Sequence, residues 1–437
     1  MTPPPVRTLV RWSLLALAIL AVATLLAALG THAWGAHRLR VARAELARHS
    51  SPPARPASST PLPDHLNGAR WLVAGGQAVI CTDEDYKVYG VLADRPAATW
   101  TDEEMERARR ILDEQQPALD LLLHSGALTR FDLGIDGGAA NHSEIDFLSV
   151  IRGLRLLALQ ARVAWFDSRT ATYLEALAAI SRSADGLLRS PVVMATTVGS
   201  AAARWTVWAA SEMVSDPCVP AEEIERLQTL LPGEDPVTCS DATLVRAVAD
   251  LADKGLAYRE GRHEPNVSWS LPFWVANRFL VEDLVVAEVL DRWNRQIAMG
   301  RLPGAQWPPE PASVIWDDAG WPHRLALNGT IVLNLFNERA RAQAAATELR
   351  QLRTALELRA SSPDGLHAGA CADIDPGPPL PLTGGALACS FDRSRGVIVI
   401  DVPGGAETLI GHTTLANRAE HLLPMELAVG PRNELCR

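Results

Sequence analysis

Apolar positions follow different rhythms along the chain. From Trp12 to Ala36 there are 25 residues without Asp, Glu, Lys or Arg, and Leu14 to Leu29 is almost wholly Leu, Ala, Ile and Val. As a helix rising about 1.5 Å per residue this stretch spans about 37 Å, enough to cross the hydrocarbon core of a bilayer. Trp12 and Trp34 stand at its two ends, where indole rings prefer the headgroup level. The pattern predicts a tail over 1–11 and a single transmembrane helix over 12–36. The competing expectation is a signal peptide cleaved after Thr31-His32-Ala33, but its apolar region would be shorter than this one.

Beyond it the rhythm becomes helical. Residues 37–63 continue as a polar, Arg-rich helix and then a Pro/Ser linker (SSPPARPASSTPLP), a composition that stays extended and holds a body off the bilayer. The body proper covers 64–360. Residues 71–80 are a short apolar stretch with a Gly pair, either strand or loop. Thr101 to Glu104 is a capping box, with Trp100 and Met105 placed as its hydrophobic staple, and the helix runs to about 115, where Pro117 interrupts it. Asn141-His-Ser143 is expected to cap a helix over about 144–166. Ile145, Leu148, Ile151, Leu154, Leu157 and Ala158 would share its buried face. Asp167-Ser168 turns into a helix over about 169–188, and Pro191 opens another over about 191–214. Helices over about 220–231, 240–260, 275–299 and 324–360 follow, the last with Leu349, Leu352 and Leu356 as its seam and an Arg353–Glu357 pair outside.

After Ser361 the pattern changes again. Residues 361–386 are rich in Gly, Pro and Asp. Ala386 to Phe391 and Gly396 to Val402 flank Asp392-Arg-Ser-Arg395, which reads as a hairpin. Glu420 to Glu426 is expected to form a last short helix. The fold class is therefore mainly α: a transmembrane helix, a body of helical hairpins, and a small β-hairpin element within 361–437.

Composition sharpens this division. The net charge of −10 averages two unlike parts: residues 1–62 carry seven Arg and one acid, and the remaining chain 34 basic and 50 acidic residues. A body of charge −16 opposes broad binding to a phosphate backbone, so nucleic acid is excluded as a partner class. Two Lys against 39 Arg suggests a GC-rich bacterial genome. Six Cys, at 81, 218, 239, 371, 389 and 436, fit three disulfides in an oxidising compartment. Cys371 and Cys389 flank a Pro/Gly-rich loop, and Cys218 and Cys239 flank a short helix, so these pairs are the staple candidates. Buried free thiols are the alternative. None has a zinc-type spacing. Arg38, Arg40, Arg43 and Arg48 after the span, against Arg7 and Arg11 before it, favour a cytoplasmic body; the cysteines favour an extracytoplasmic one. The chain is read as an inner-membrane protein with a periplasmic body.

Arg130 to Leu231 resembles a group of membrane-anchored helical bacterial proteins to which no activity is assigned. The residues that carry the resemblance are Arg152 to Arg162 (RGLRLLALQAR), Phe166-Asp167, Glu175-Ala-Leu177 and the Ser190-Pro191 break. In the tail, Ala355-Leu-Glu-Leu-Arg359 followed by Asp375-Pro376 and a hairpin also resembles that group, and is loosely similar to the soluble part of type II pseudopilins. The Tyr-Pro and Tyr-Ser-type positions of pseudopilin tails are missing. The resemblance implies an anchored helical body and no particular reaction. The paired helices look tetratricopeptide-like, without a second copy at a 34-residue period.

Catalytic grammars are absent: there is no H-E-x-x-H, G-x-S-x-G, Walker A loop, or G-x-G-x-x-G after a strand. Asp132, Asp136, His142, Glu144 and Asp146 form the densest titratable cluster. A hard cation takes several carboxylate oxygens, so Asp132, Asp136, His142 and Asp146 are the metal candidates. The plainer account of Glu144 and Asp146 is a helix start, where acids meet the helix dipole. Asp83-Glu84-Asp85 and His263-Glu264 read as solvated. Six of 13 Trp fall between 269 and 321. Trp269, Trp274, Trp307, Trp316 and Trp321 would line a groove for an extended peptide or glycan, or, with Trp293, pin loops to the body. These features lean against an enzyme and imply no cofactor. They point to a module that contacts the bilayer through 12–36 and binds or scaffolds an envelope protein. The alternatives are a metal-dependent hydrolase using Asp132–Asp146 and a secretion or pilus-assembly component.

Overall fold

The computed structural model describes residues 6–49, 62–133, 145–259, 282–308, 335–375, 377–405, 408 and 424–436. The chain divides into two compact units. The first comprises 1–51, 248–298 and 312–333, the second 52–247, 299–311 and 334–437.

In the first unit the apolar run and the polar helix after it form one uninterrupted helix, α1 (Val6–His49). Its apolar part is long enough to cross a membrane, and none of its most hydrophobic window is buried in the protein. Thr24 and Thr31 return their hydroxyls to the carbonyls of Leu20 and Ala27 at 2.8 Å, so neither presents an unmet donor. Beyond Trp34 one face becomes buried at Gly35, Leu39, Ala42 and Leu46, a 4-3-4 spacing that keeps one seam aligned along a helix. A side chain at position 35 would press on Asp283 and Leu284, where α11 (Glu282–Gly300) begins. Farther along, Arg38 pairs with Glu288 and Asp291, and Asn294 Nδ2 donates to the Ala42 carbonyl at 2.9 Å. The two helices therefore run parallel in this unit.

The second unit is a helical assembly with a small sheet. Its helices are α2 (Gly68–Ala78), α3 (Asp83–Ala93), α4 (Asp102–Glu114), α5 (Gln116–Ala127), α6 (Phe147–Phe166), α7 (Thr170–Leu188), α8 (Val193–Ser215), α9 (Ala221–Leu230), most of α10 (Pro236–Arg259), and α12 (Leu335–Ser361). Elements α2, α5, α6, α7 and α8 pack on one another around Leu122, Leu154, Leu157, Leu177 and Ile180, and α12 lies along α8.

Local chemistry sets several of the ends. The Thr101–Glu104 capping box forms in both directions, at 3.2 and 2.9 Å. Pro117 sits in the first turn of α5, where its missing N–H is harmless. The turn between α6 and α7 carries Ser168 at φ 58°, and Asp167 accepts bonds from Arg109 and Arg169 beside it.

Several expectations are corrected. Residues 71–80 lie mostly in a helix, α2, and not in a strand or loop. The acidic run at 83–85 opens α3, capped by Thr82, with Asp85 paired to Arg107 at 3.1 Å. The helix expected from 144 begins at Phe147, and its Leu148 is exposed instead of sharing the buried face. Residues 425–428 form a strand instead of a helix. Arg353 and Glu357 are exposed on the outer side as expected, and Arg353 also donates to the Pro232 carbonyl at 2.7 Å.

Helix α12 organises this unit despite having no clear apolar side. Leu349, Leu352 and Leu356 are buried as the seam predicted, but so are Arg339, Gln343, Thr347, Glu348 and Gln351. Its long polar side chains reach backbone carbonyls of separate segments. Arg339 Nε donates to Gly300 O (2.9 Å), Gln351 Nε2 to Ile400 O (2.7 Å), and Arg359 Nη2 to Asp216 O (2.9 Å). Gly300 ends α11 and Asp216 follows α8, so their carbonyls have no intrahelical partner, and a guanidinium that meets them satisfies both groups at once.

The expected hairpin is present: β1 (Ala388–Asp392) and β2 (Val397–Asp401) pair antiparallel, and β3 (Met425–Ala428) adds to β2. Ile398 and Ile400 point inward and their neighbours outward, the alternation of a half-buried strand. Gly396, at φ +64°, closes the turn in a conformation that side-chain-bearing residues seldom adopt.

Candidate functional site

The acidic loop resolves into structural roles at the two positions that are described. Asp132 is tied through its backbone: its N–H donates to Asn67 Oδ1 (2.9 Å) and its carbonyl accepts from Asn67 Nδ2 (2.6 Å). Asn67 Oδ1 also accepts from Ala69 N–H, so one amide both caps α2 and holds the strand of chain at 132. Asp146 is the N-cap of α6 and accepts from Leu148 N–H, Ser149 N–H and Ser149 Oγ. Asp136, His142 and Glu144 lie outside the described residues, as do His263 and Glu264. Among the described residues no three His, Cys, Asp or Glu side chains lie close enough to hold a metal ion.

The Asp146 cap carries a sign that can be tested. Ser149 and Leu148, donating to the carboxylate, hold its pKa below the usual range. A carboxyl depressed in the folded state contributes stability above its unfolded pKa and loses it as pH falls through the folded value. Asp146→Ala is expected to cost about 1 kcal/mol at neutral pH, and Asp146→Asn far less, because asparagine caps nearly as well. In urea titrations between pH 6 and 2, Asp146→Asn should remove part of the acid loss below about pH 4. Equal costs for the two variants would count against the capping role.

The tryptophans divide similarly. Trp307 is buried, its Nε1 donates to the Leu302 carbonyl at 3.0 Å, and its ring meets Phe336 edge-on at 5.3 Å. It pins a loop onto α12 and presents no groove surface. Trp293 is also buried. Trp269, Trp274, Trp316 and Trp321 lie outside the described residues.

The cysteines form two pairs at disulfide distance and not three. Cys371 pairs with Cys389, as the flanked loop suggested, with Cα atoms 5.5 Å apart. Cys218 pairs with Cys436 (Cα–Cα 5.3 Å) and not with Cys239; Cys239 and Cys81 are not in disulfides. A sequence of 437 residues gives no local cue for a partner 218 positions away.

That second pair borders a shallow, open surface cleft in the second unit. One wall comes from the residues leading into α9, with Val219 and Ile224, and the other from the chain end, with Leu435 in α13 (Arg432–Leu435). Leu366 contributes to the apolar lining and Arg359 and Arg432 supply the charge. Arg359, in the last turn of α12, is half-buried and donates to Asp216 O; Arg432 Nη2 donates to Cys218 O at 2.9 Å. Burial, and then the charge of Arg432, draw the Arg359 pKa down, while Asp216 opposes them. The sequence pattern assigns neither arginine to a site, Arg359 entering only as the end of the Ala355–Arg359 motif; the tertiary fold brings them together.

Charged residues on α6 and α8 serve the interior instead. Arg162 pairs with Glu212, and its Nε donates to the Ala93 carbonyl at 3.0 Å. Arg155 donates to the Tyr86 hydroxyl at 3.0 Å and lies over the Trp205 ring at 5.6 Å. These groups join α3, α6 and α8.

Comparison with protein-family descriptions, with curated proteins and with solved structures finds no match to this chain.

Proposed function

We propose that the protein is a single-pass, membrane-anchored envelope protein whose extracytoplasmic body binds or scaffolds another envelope component and catalyses no reaction. The observation that carries this reading is the bare apolar stretch of α1. Leu14, Leu17, Leu20, Leu25 and Leu29 are each more than half exposed, an arrangement water penalises by about 25 cal/mol per Å² and a bilayer does not. An extracytoplasmic body is supported by its cysteines, since two pairs at bonding distance suit an oxidising compartment. The arginine count around the span argues for the opposite orientation, so topology is the direct test.

Membranes bearing the full chain are expected to retain it through an alkaline carbonate wash. In denaturant without reductant, a maleimide mass tag should add to two thiols, and after reduction to six. On the folded chain Cys239 should react slowly. Burial, with Glu234 and Asp235 nearby, pushes its thiol up to about 12. Its thiolate is then on the order of a thousandfold scarcer at pH 8 than that of an ordinary cysteine. Release by carbonate would overturn the anchor. Six thiols tagged without reductant would overturn the oxidising compartment.

A further inference from the structure

We propose that the cleft between the start of α9 and the chain end binds an aliphatic carboxylate, the C-terminus of a polypeptide ending in an apolar residue being the source it fits best. The inference rests on the binding-module reading and gives that module a ligand class.

Three observations carry it. The first is the charge arrangement. Among the described residues, Arg359 and Arg432 have no carboxylate at ion-pair distance. Several other half-buried or buried arginines of the same unit have one: Arg204 with Glu348, Arg339 with Asp241, Arg162 with Glu212, Arg95 with Glu104. On Arg359 the repulsion of Arg432 exceeds the attraction of Asp216, and an anion between the two guanidiniums relieves it.

The second is pre-organisation. Each guanidinium has five N–H donors in a rigid fork, and one from each is fixed by a backbone carbonyl, Asp216 O or Cys218 O, at 2.9 Å. Their positions are therefore set before a ligand arrives, and the remaining donors match the two oxygens of a carboxylate. The Asp216 carboxylate is itself engaged, accepting from Cys218 N–H at 2.8 Å.

The third is the lining. Val219, Ile224, Leu366 and Leu435 adjoin the two cations in the same cleft. A free phosphate would leave that apolar wall unused, whereas a carboxylate attached to a leucine or valine side chain meets both surfaces. The Cys218–Cys436 pair lies next to Pro217 and Leu435, so it ties the two walls together.

The test uses the full chain in detergent and isothermal titration with three probes: acetyl-Ala-Ala-Leu with a free carboxylate, its C-terminal amide, and 4-methylpentanoate. The free-acid peptide should bind, and the amide should bind at least about tenfold more weakly, the effect of one charge-assisted hydrogen bond. Arg359→Gln and Arg432→Gln should each weaken the acid by a similar factor. Ala221→Trp, which obstructs the cleft with both arginines in place, should abolish binding while leaving the thermal unfolding curve unchanged, so a folding defect in either arginine variant does not leave the test open. Binding of 4-methylpentanoate with the tripeptide acid rejected would assign the same carboxylate chemistry to a small free acid. Equal binding of acid and amide, binding unaffected by either arginine variant, or no binding of any probe would overturn the proposal. If no probe binds and a chain lacking both arginines still co-purifies with an envelope protein, the cleft proposal falls and the binding-module reading stands.

Discussion

Replacing Glu348 with alanine is expected to destabilise the helical body by about 3–5 kcal/mol, the cost of leaving one member of a buried ion pair alone. Glu348 accepts from Arg204 Nε and Nη2 at 2.8 Å each, both residues are buried, and the guanidinium lies 4.9 Å over the Trp208 ring. Burial pushes the Glu348 carboxyl upward and Arg204 opposes it, so the carboxylate owes its charge to its partner. Without Glu348 the cation on α8 faces α12 with no counter-charge, in a medium that solvates it poorly. The apolar pair Arg204→Met with Glu348→Leu should recover most of the loss, because no charge then remains to desolvate. Urea unfolding of the full chain, run as a double-mutant cycle, measures the coupling. If the single and double variants lose the same amount, lost packing and not charge is responsible.

Gly76→Val is expected to cost about 3 kcal/mol or more, at the upper end for overpacking a core. A Cβ built at position 76 falls on the Ser149 carbonyl and lies 3.2 Å from Val150 N. Both obstacles are backbone of α6 and cannot rotate away. From the other side, a Cβ at Gly153 would come within 3.2 Å of the Gly76 Cα, so the two glycines mark where α2 and α6 cross closely. Gly90→Ala supplies the opposite control. Its Cβ would find only the Arg155 guanidinium, at 3.4 Å, and alanine favours a helix by about 0.5–1 kcal/mol over glycine. A loss of stability in both variants would point to a general intolerance of α2 and α3 and not to the crossing.

These two sites show where sequence reasoning worked and where it stopped. The Thr101–Glu104 cap, the Pro117 break, the Asp167-Ser168 turn and the 388–401 hairpin were legible because each depends on residues within a few positions of one another. The Gly75-Gly76 pair misled for the same reason. In its own window it lowers helix propensity, while the crossing that uses it lies on α6, far along the chain. Leu148 misled through periodicity: it keeps helical phase with Leu154, but at the first turn of α6 nothing covers it. The acidic loop looked like a ligand set because five titratable groups crowd a short segment; Asp146 instead directs its carboxylate to the backbone of its own helix.

The candidate cleft lay further out of reach. Its arginines come from the last turn of α12 and from α13, and its walls are joined by cysteines 218 positions apart. No window of the chain contains the site.

The sequence by itself determined what depends on composition and short range: a stem apolar enough to cross a bilayer, an acidic body of charge −16, a mainly helical fold, and a β-hairpin at its end. Only the tertiary structure decided which cysteines meet, that Arg- and Gln-bearing α12 is largely buried along α8, and that Arg359 and Arg432 share one cleft. The physical reason is that propensity, capping and hydrophobic periodicity act over one or two turns. Counter-charges, disulfide partners and helix crossings are chosen by whichever groups the packed chain brings within a few ångströms.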